Sequence, residues 1–187
     1  MIAVIWLLVI VGIVLLVGLM LVLLYNRLVQ QRNRVDNAWA QVEVQLKRRW
    51  DLIPNLVESV KGYAAHERGT FEAVTEARTR AQNAKTPAET ASAEGILGAA
   101  LGRLFAVAEA YPELQADENF RQLQTELAET ENRVAVSRQV YNDSVLTYNN
   151  TVQTFPGLLL AGSFGFSIRE FFEVEEEAQR EAPVVDF

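Results

Sequence analysis

The segment IAVIWLLVIVGIVLLVGLMLVLLY, residues 2–25, decides how this chain is organised. Among the first 25 residues only Gly12 and Gly18 fall outside the hydrophobic class, and no side chain there is charged. As a helix the segment is roughly 36 Å long at 1.5 Å per residue, which exceeds a hydrocarbon core of about 30 Å. The pattern therefore predicts a single transmembrane anchor at residues 1–25.

The residues that flank this segment predict its orientation. Trp6 and Tyr25 lie near its ends, where amphipathic rings favour the lipid headgroup layer. No basic residue precedes the segment, whereas Arg27, Arg32 and Arg34 follow it. The positive-inside rule then places the N-terminus outside and the rest of the chain in the cytoplasm. A cleaved signal peptide is disfavoured, because the segment is too long and lacks both a basic residue before it and a small-x-small cleavage site after it.

The composition of the chain excludes several classes of function. The formal net charge of −7 over 187 residues argues against nucleic-acid binding, which needs a basic surface. The chain has no cysteine and only one histidine, His66, so thiolate and multi-histidine sites are excluded. His66-Glu67 resembles half of a zincin motif, but Thr70 stands where the second histidine would be. We expect no cofactor, no metal and no enzymatic activity.

Apolar residues recur at three- and four-residue spacing over most of residues 26–157, which indicates long helices. The fold expected is all-α: one transmembrane helix followed by an antiparallel four-helix bundle. The helices are expected at about residues 26–50, 54–85, 88–110 and 117–155. Pro54 either kinks one helix or starts a second, and the sequence favours a turn that starts a second helix.

The third and fourth predicted helices carry distinctive patterns. Thr86 and Asp117 are expected to cap their N-termini. The third helix is rich in small residues, which predict unusually close packing against a neighbouring helix because they let backbones approach. These residues are Ala91, Ala93, Gly95, Gly98, Ala99, Ala100 and Gly102, and Gly98 with Gly102 forms a GxxxG spacing. The fourth helix has a coiled-coil-like seam of regularly spaced apolar residues. They are Phe120, Leu123, Leu127, Val134, Tyr141, Val145, Tyr148, Val152 and Phe155. The fourth helix also carries Tyr141-Asn142 and Tyr148-Asn149, seven residues apart, which we interpret as a polar ladder that fixes helix register, with a ligand site as the alternative.

The chain changes character after Pro156. Residues 158–172 are mostly apolar, and residues 173–187 form an acidic tail. The apolar segment is expected to cover the open end of the bundle; the alternative is an exposed patch for a partner or the bilayer surface. The aromatic residues of these two segments are the candidate interaction residues: Phe164, Phe166, Phe171, Phe172 and Phe187.

Charged residues on the predicted helices leave two further hypotheses. Several arginines are expected to pair with acidic residues of the fourth helix, without an assignment of pairs: Arg48, Arg49, Arg133 and Arg138 with Glu126, Glu129 and Glu131. A hydrolase that uses Glu67 with Glu126 or Glu131 is a minor alternative.

Two long stretches resemble the LemA family. They are YNRLVQQRNRVDNAWAQVEVQLKRRWDLIPNLVESVKGYAAHE, residues 25–67, and LGRLFAVAEAYPELQADENFRQLQTELAETENRVAVSRQVYNDSVLTYNNTVQTFPGLLLAGSFGF, residues 101–166. The FFE at residues 171–173 also fits. The resemblance implies a membrane helix, a soluble four-helix bundle and no established catalytic activity. Trp50 and the heavy acidic tail depart from the family pattern.

These features together predict a membrane-anchored, non-enzymatic helical scaffold that organises itself or partner proteins at a bacterial inner membrane. The anchoring of the chain to a surface favours a homo-oligomer, because confinement raises its effective concentration. The alternative is a membrane stress or remodelling protein whose bundle contacts lipid directly.

Overall fold

The computed structural model describes residues 1–173, and these residues form helices and no strand. The all-helical prediction is confirmed over this part of the chain. The helices are α1 (Ile2–Lys61), α2 (Arg68–Asn83), α3 (Pro87–Glu109), α4 (Pro112–Ala116), α5 (Glu118–Gln153) and α6 (Gly157–Ala161).

Helix α1 continues through Pro54, where the sequence favoured a turn. A proline inside a helix has no N–H to donate to the carbonyl four residues earlier, which here belongs to Trp50. Arg78 of α2 replaces that donor, because its Nε donates to the Trp50 carbonyl oxygen at 2.7 Å. The helix expected at residues 54–85 is therefore divided: its first turns belong to α1, residues 62–67 form a loop, and α2 begins at Arg68.

Both predicted N-caps are confirmed. The Thr86 hydroxyl accepts a hydrogen bond from the Glu89 backbone N–H at 3.2 Å, and Pro87 occupies the first turn of α3. The Asp117 carboxylate accepts from the Phe120 backbone N–H at 2.9 Å. Each bond satisfies one of the N–H groups that the first turn of a helix leaves without a partner.

The small residues of α3 act differently from the expectation. A Cβ atom built on Gly98 or Gly102 would have no neighbouring atom within 4 Å, so the predicted close approach at these glycines is wrong. Four alanines of α3 are instead buried: Ala91, Ala93, Ala100 and Ala108. The close packing of this helix is therefore made by alanine, and the glycine side of α3 has open space beside it.

The chain divides into two compact units. The first unit comprises Met1–Trp39 and Tyr141–Arg169. Its buried apolar side chains come from three helices and from Phe166, which follows α6. The helical ones are Leu28, Val35 and Ala38 of α1, Tyr141, Val145, Tyr148 and Val152 of α5, and Leu160 and Ala161 of α6. The rings of Trp39 and Tyr141 pack with their centroids 5.1 Å apart. These contacts join the start of α1 to the end of α5.

The second unit comprises Ala40–Val140 and, among the described residues, Glu170–Glu173. One apolar core draws residues from α1 to α5, among them Ile53, Val74, Leu104, Leu114 and Phe120. Of the apolar positions predicted for α5, Leu127 belongs to this core, and Val134 is also buried. Phe155, which the sequence placed at the end of the seam, lies beyond α5 and is exposed.

Candidate functional site

The N-terminal part of α1 is apolar and exposed along its whole length. No residue before Leu28 is buried, and Trp6 and Tyr25 are both exposed. Two of the described helices are long and apolar enough to cross a membrane, α1 and α3. About half of α3 is buried in the core, including Glu94, so α3 has the character of a core helix. Helix α1 fits a membrane anchor.

Tyr25, at the end of the apolar segment, contacts the chain that follows α6. Its ring meets those of Phe164 and Phe166 edge-on, with centroid distances of 5.3 and 5.7 Å. Arg32 lies about two helical turns beyond Tyr25 on α1. Its guanidinium is 5.3 Å from the centroid of the Phe166 ring. Such edge-on and cation–π contacts add to the burial of the rings. Arg27 and Arg34 are exposed.

Residues 162–169, here called the strap, lie along α1 and are fixed by two residues. The Asn149 side chain of α5 accepts from the Arg169 backbone N–H at 2.8 Å and donates to the Arg169 carbonyl oxygen at 2.9 Å. The Arg169 guanidinium then pairs with Asp36 of α1 at 3.0 Å. Asn149 was expected in a polar ladder that sets helix register; the structure shows that its amide holds the strap.

Only some of the aromatic residues predicted to bind a partner lie at the surface. Phe164 is 55% exposed, whereas Phe166 and Phe172 are 5% and 1% exposed. The structure therefore places the last two rings in the interior and leaves Phe164 at the surface. Phe171 is half-buried. Phe187 lies outside the described residues, as does most of the acidic tail.

A buried ion pair lies in the core of the second unit. Arg49 Nη1 and Glu94 Oε2 are 2.8 Å apart, and the two residues are 6% and 5% exposed. The Trp50 indole Nε1 donates to the other carboxylate oxygen, Oε1 of Glu94, at 2.7 Å. Glu131 Oε1 lies 3.7 Å from Arg49 Nη2, at the exposed side of the pair. Both oxygens of Glu94 are thus engaged within the fold.

Burial raises the pKa of the Glu94 carboxyl above its ordinary value. The loss of water around the carboxylate is the largest cause, because a charge is poorly solvated in the core. The Arg49 charge and the bonds from Trp50 and Arg49 lower the pKa by less, and nearby Glu131 raises it. The ion pair therefore compensates only part of the cost of placing this charge in the interior.

Sequence reasoning named Arg49 and Glu131 among the possible partners but missed Glu94. The signal was present, since Glu94 follows Ala91 by three residues and precedes Leu97 by three, on the apolar face of its helix. The carboxylates of the hydrolase hypothesis do not form a described site: Glu131 faces Arg49, and Glu126 accepts from Gln122 at 3.0 Å. No group of metal-ligating side chains occurs among residues 1–173.

The chain is similar in sequence to two magnetosome proteins and to a protein named LemA. Magnetosome protein MamQ 2 of Paramagnetospirillum magneticum is 29% identical over 191 residues, which cover 88% of this chain and 70% of that protein. Magnetosome protein MamQ of Magnetospirillum gryphiswaldense is 27% identical with the same coverage. Protein LemA of Metamycoplasma hominis is 27% identical over 134 residues, 70% of this chain and 60% of that protein.

The model of the LemA family matches residues 38–187, a range that begins within α1. This range contains most of the first segment that resembles the family, residues 25–67, and all of the second, residues 101–166. The match takes in the buried ion pair, Pro54 with its compensating Arg78, and the strap with Asn149. This chain belongs to the LemA family.

Proposed function

We propose that the chain is a membrane-anchored, non-enzymatic helical scaffold that organises itself or partner proteins at the cytoplasmic face of a bacterial inner membrane. The observation that carries the proposal is the continuity of α1. One helix contains the exposed apolar segment and residues buried in each unit, from Leu28 to Val60. No loop interrupts it between Ile2 and Lys61. A helix without an interrupting loop links the apolar segment directly to the folded part of the chain.

The orientation of the span is part of the proposal. Arg27 and Arg34 are exposed just after the apolar segment, and Arg32 packs over Phe166. These three cations support a cytoplasmic position for the chain that follows the apolar segment under the positive-inside rule. The membership of the LemA family and the magnetosome proteins among its relatives support a membrane-associated role.

The polar clusters support a structural rather than a catalytic role. Glu94 accepts from Arg49 and Trp50, and the Asn149 amide bonds the Arg169 backbone through both of its polar atoms. These groups hold helices and the strap in place. We further propose that the helices of the second unit form an antiparallel four-helix bundle and that α5 continues a coiled-coil-like seam.

Self-association is the most accessible part of the proposal to test. Exposed Val44 of α1 and Val136 of α5 offer apolar contacts for another protein. We expect amine-reactive crosslinking of intact membranes to give homo-oligomers or discrete complexes. A variant with Lys47, Lys61 and Lys85 replaced by arginine is the control, since it removes all three lysines. Light scattering that gives a monomeric mass for the detergent-solubilised chain, together with no crosslinked species, would contradict the scaffold.

A further inference from the structure

Helix α6 and the residues beside it expose an unusual density of large apolar side chains. Phe155 is 76% exposed, Leu158 and Leu159 are 61% and 67% exposed, and Phe164 is 55% exposed. The remaining residues of the same short helix are buried: Gly157, Leu160 and Ala161. We call the four exposed residues the apolar cap. Its helix has one side in the core and the other side apolar and open, which is unusual for a surface in water.

The apolar cap is held rigidly in this position. A Cβ atom on Gly157 would collide with the Thr151 carbonyl oxygen, so only glycine allows the start of α6 to approach the end of α5 this closely. The Phe166 backbone N–H donates to the Ala161 carbonyl oxygen at 2.9 Å, which closes the chain after α6. Gly165 adopts a φ of 71°, a conformation that favours glycine. The exposed face is thus a fixed feature of the first unit.

The position of the cap relative to Tyr25 indicates what covers it. The ring of Phe164 contacts that of Tyr25 at 5.3 Å, and Tyr25 is the last residue of the apolar segment of α1. The cap therefore lies where α1 meets the membrane surface, within the same unit as the anchor. An apolar surface at that level is continuous with the lipid-facing surface of α1.

The distribution of charge around the cap favours a lipid bilayer over a water-exposed protein contact. Residues 144–168 carry no charged side chain. The charged residues of the first unit are four arginines and two aspartates: Arg27, Arg32, Arg34, Arg169, Asp36 and Asp143. Asp36 pairs with Arg169, which leaves a basic excess in the same unit as the uncharged surface. An uncharged apolar surface matches the acyl boundary of a cytoplasmic leaflet, and a basic excess matches its anionic headgroups.

We propose that the apolar cap inserts into the leaflet from which α1 emerges and gives the chain a second membrane contact. This inference rests on the proposed function in one respect, that α1 crosses the bilayer. The cap would bury Leu158, Leu159 and Phe164 at the boundary between headgroups and acyl chains. Two contacts with one bilayer would fix the direction in which α1 leaves it, which a single helix does not.

The test uses the full chain in vesicles of phosphatidylethanolamine and phosphatidylglycerol. Because the chain has no cysteine, single substitutions give one labelling site each. Leu159→Cys carries an environment-sensitive fluorophore on the cap, Thr79→Cys reports on exposed α2, and Leu15→Cys reports on the middle of the anchor. We expect blue-shifted emission at Leu159→Cys and quenching by lipids that carry a nitroxide near the headgroup. The label at Thr79→Cys should remain in water and be quenched only by aqueous iodide.

The outcomes separate this inference from the proposed function. Quenching of Leu15→Cys by deeply placed nitroxides, with a Leu159→Cys label that only aqueous iodide quenches, overturns the second contact while the anchor stands. A Leu159→Cys label that is shielded from both lipid nitroxides and iodide also overturns it, because a second copy then covers the cap. Absence of lipid quenching at Leu15→Cys would contradict the anchor itself.

A paired substitution adds a second measurement. Leu158→Ser with Leu159→Ser removes exposed apolar surface, and Val44→Ser with Val136→Ser removes a similar surface elsewhere. With a label at Ser163→Cys, which is also exposed, we expect the first pair to abolish the blue shift and the second pair to preserve it. Equal emission from all three proteins would overturn insertion of the cap.

Discussion

Arg78 Nε donates to the Trp50 carbonyl oxygen at 2.7 Å, and this is the carbonyl that Pro54 leaves without its helical donor. A side chain of α2 thus repairs α1 at its only internal proline. This bond explains how α1 remains one helix to Lys61. It also makes the continuity of α1 at this proline depend on a residue from a different helix.

Replacement of Arg78 by methionine should destabilise the second unit by about 1 kcal/mol, because it leaves a part-buried carbonyl without a donor. Urea denaturation of the detergent-solubilised chain, followed by circular dichroism, measures the free energy of unfolding. Pro54→Ala is the matched control background, since alanine restores the backbone N–H. If Arg78→Met costs as much in Pro54→Ala as in the natural chain, the repair is not the role of Arg78.

Arg49→Met should destabilise the chain by about 3–5 kcal/mol at neutral pH, because it leaves the Glu94 carboxylate buried without its partner. Glu94→Gln added to Arg49→Met should recover most of this loss, since a neutral amide keeps an acceptor for Trp50 Nε1. Denaturation of the single and double variants gives the coupling energy directly. Additive effects of the two substitutions would show that the residues do not act as a pair.

The raised pKa of Glu94 predicts the pH dependence of stability. Because the folded chain holds this proton more tightly than the unfolded chain, the contribution is fully present below the unfolded pKa and is lost as pH rises through the folded pKa. The free energy of unfolding should therefore fall as pH rises above about 4.5, the ordinary value, relative to Glu94→Gln. A difference between the two proteins that is constant or grows with pH would contradict the desolvation account.

Asn149→Ala should release the strap, because it removes both bonds to the Arg169 backbone. We expect faster amide hydrogen exchange in residues 162–169 and a loss of about 1–3 kcal/mol. Asn150→Ala is the control, since Asn150 is the exposed neighbour on the same helix. Unchanged exchange in the strap of Asn149→Ala would assign its position to Phe166 and the Asp36 ion pair alone.

Local sequence patterns predicted those parts of the structure that depend on near neighbours. The anchor follows from an uncharged run, and the Thr86 and Asp117 caps follow from bonds three residues long. The continuity of α1 could not be predicted, because the donor that compensates Pro54 lies 28 residues from Trp50. From local sequence alone, a proline predicts a helix break even where a side chain from another helix supplies the missing donor.

The candidate site followed the same division. Tyr148 and Asn149 were recognised as a polar feature of a seam, but the partner of Asn149 is a backbone 20 residues away. Glu94 and Arg49 are 45 residues apart, so their pairing depends on the packing of α1 against α3. The buried positions of Phe166 and Phe172 depend on tertiary contacts that composition does not reveal.

The central claim, an anchor at residues 1–25 that crosses the bilayer and leaves the rest of the chain in the cytoplasm, is tested most directly by thiol accessibility. Single cysteines at Ala3 and Thr79, both exposed, are treated with a membrane-impermeant maleimide in intact spheroplasts and after permeabilisation. The account predicts that Ala3→Cys reacts in intact spheroplasts and that Thr79→Cys reacts only after permeabilisation. Labelling of Thr79→Cys in intact spheroplasts would contradict it.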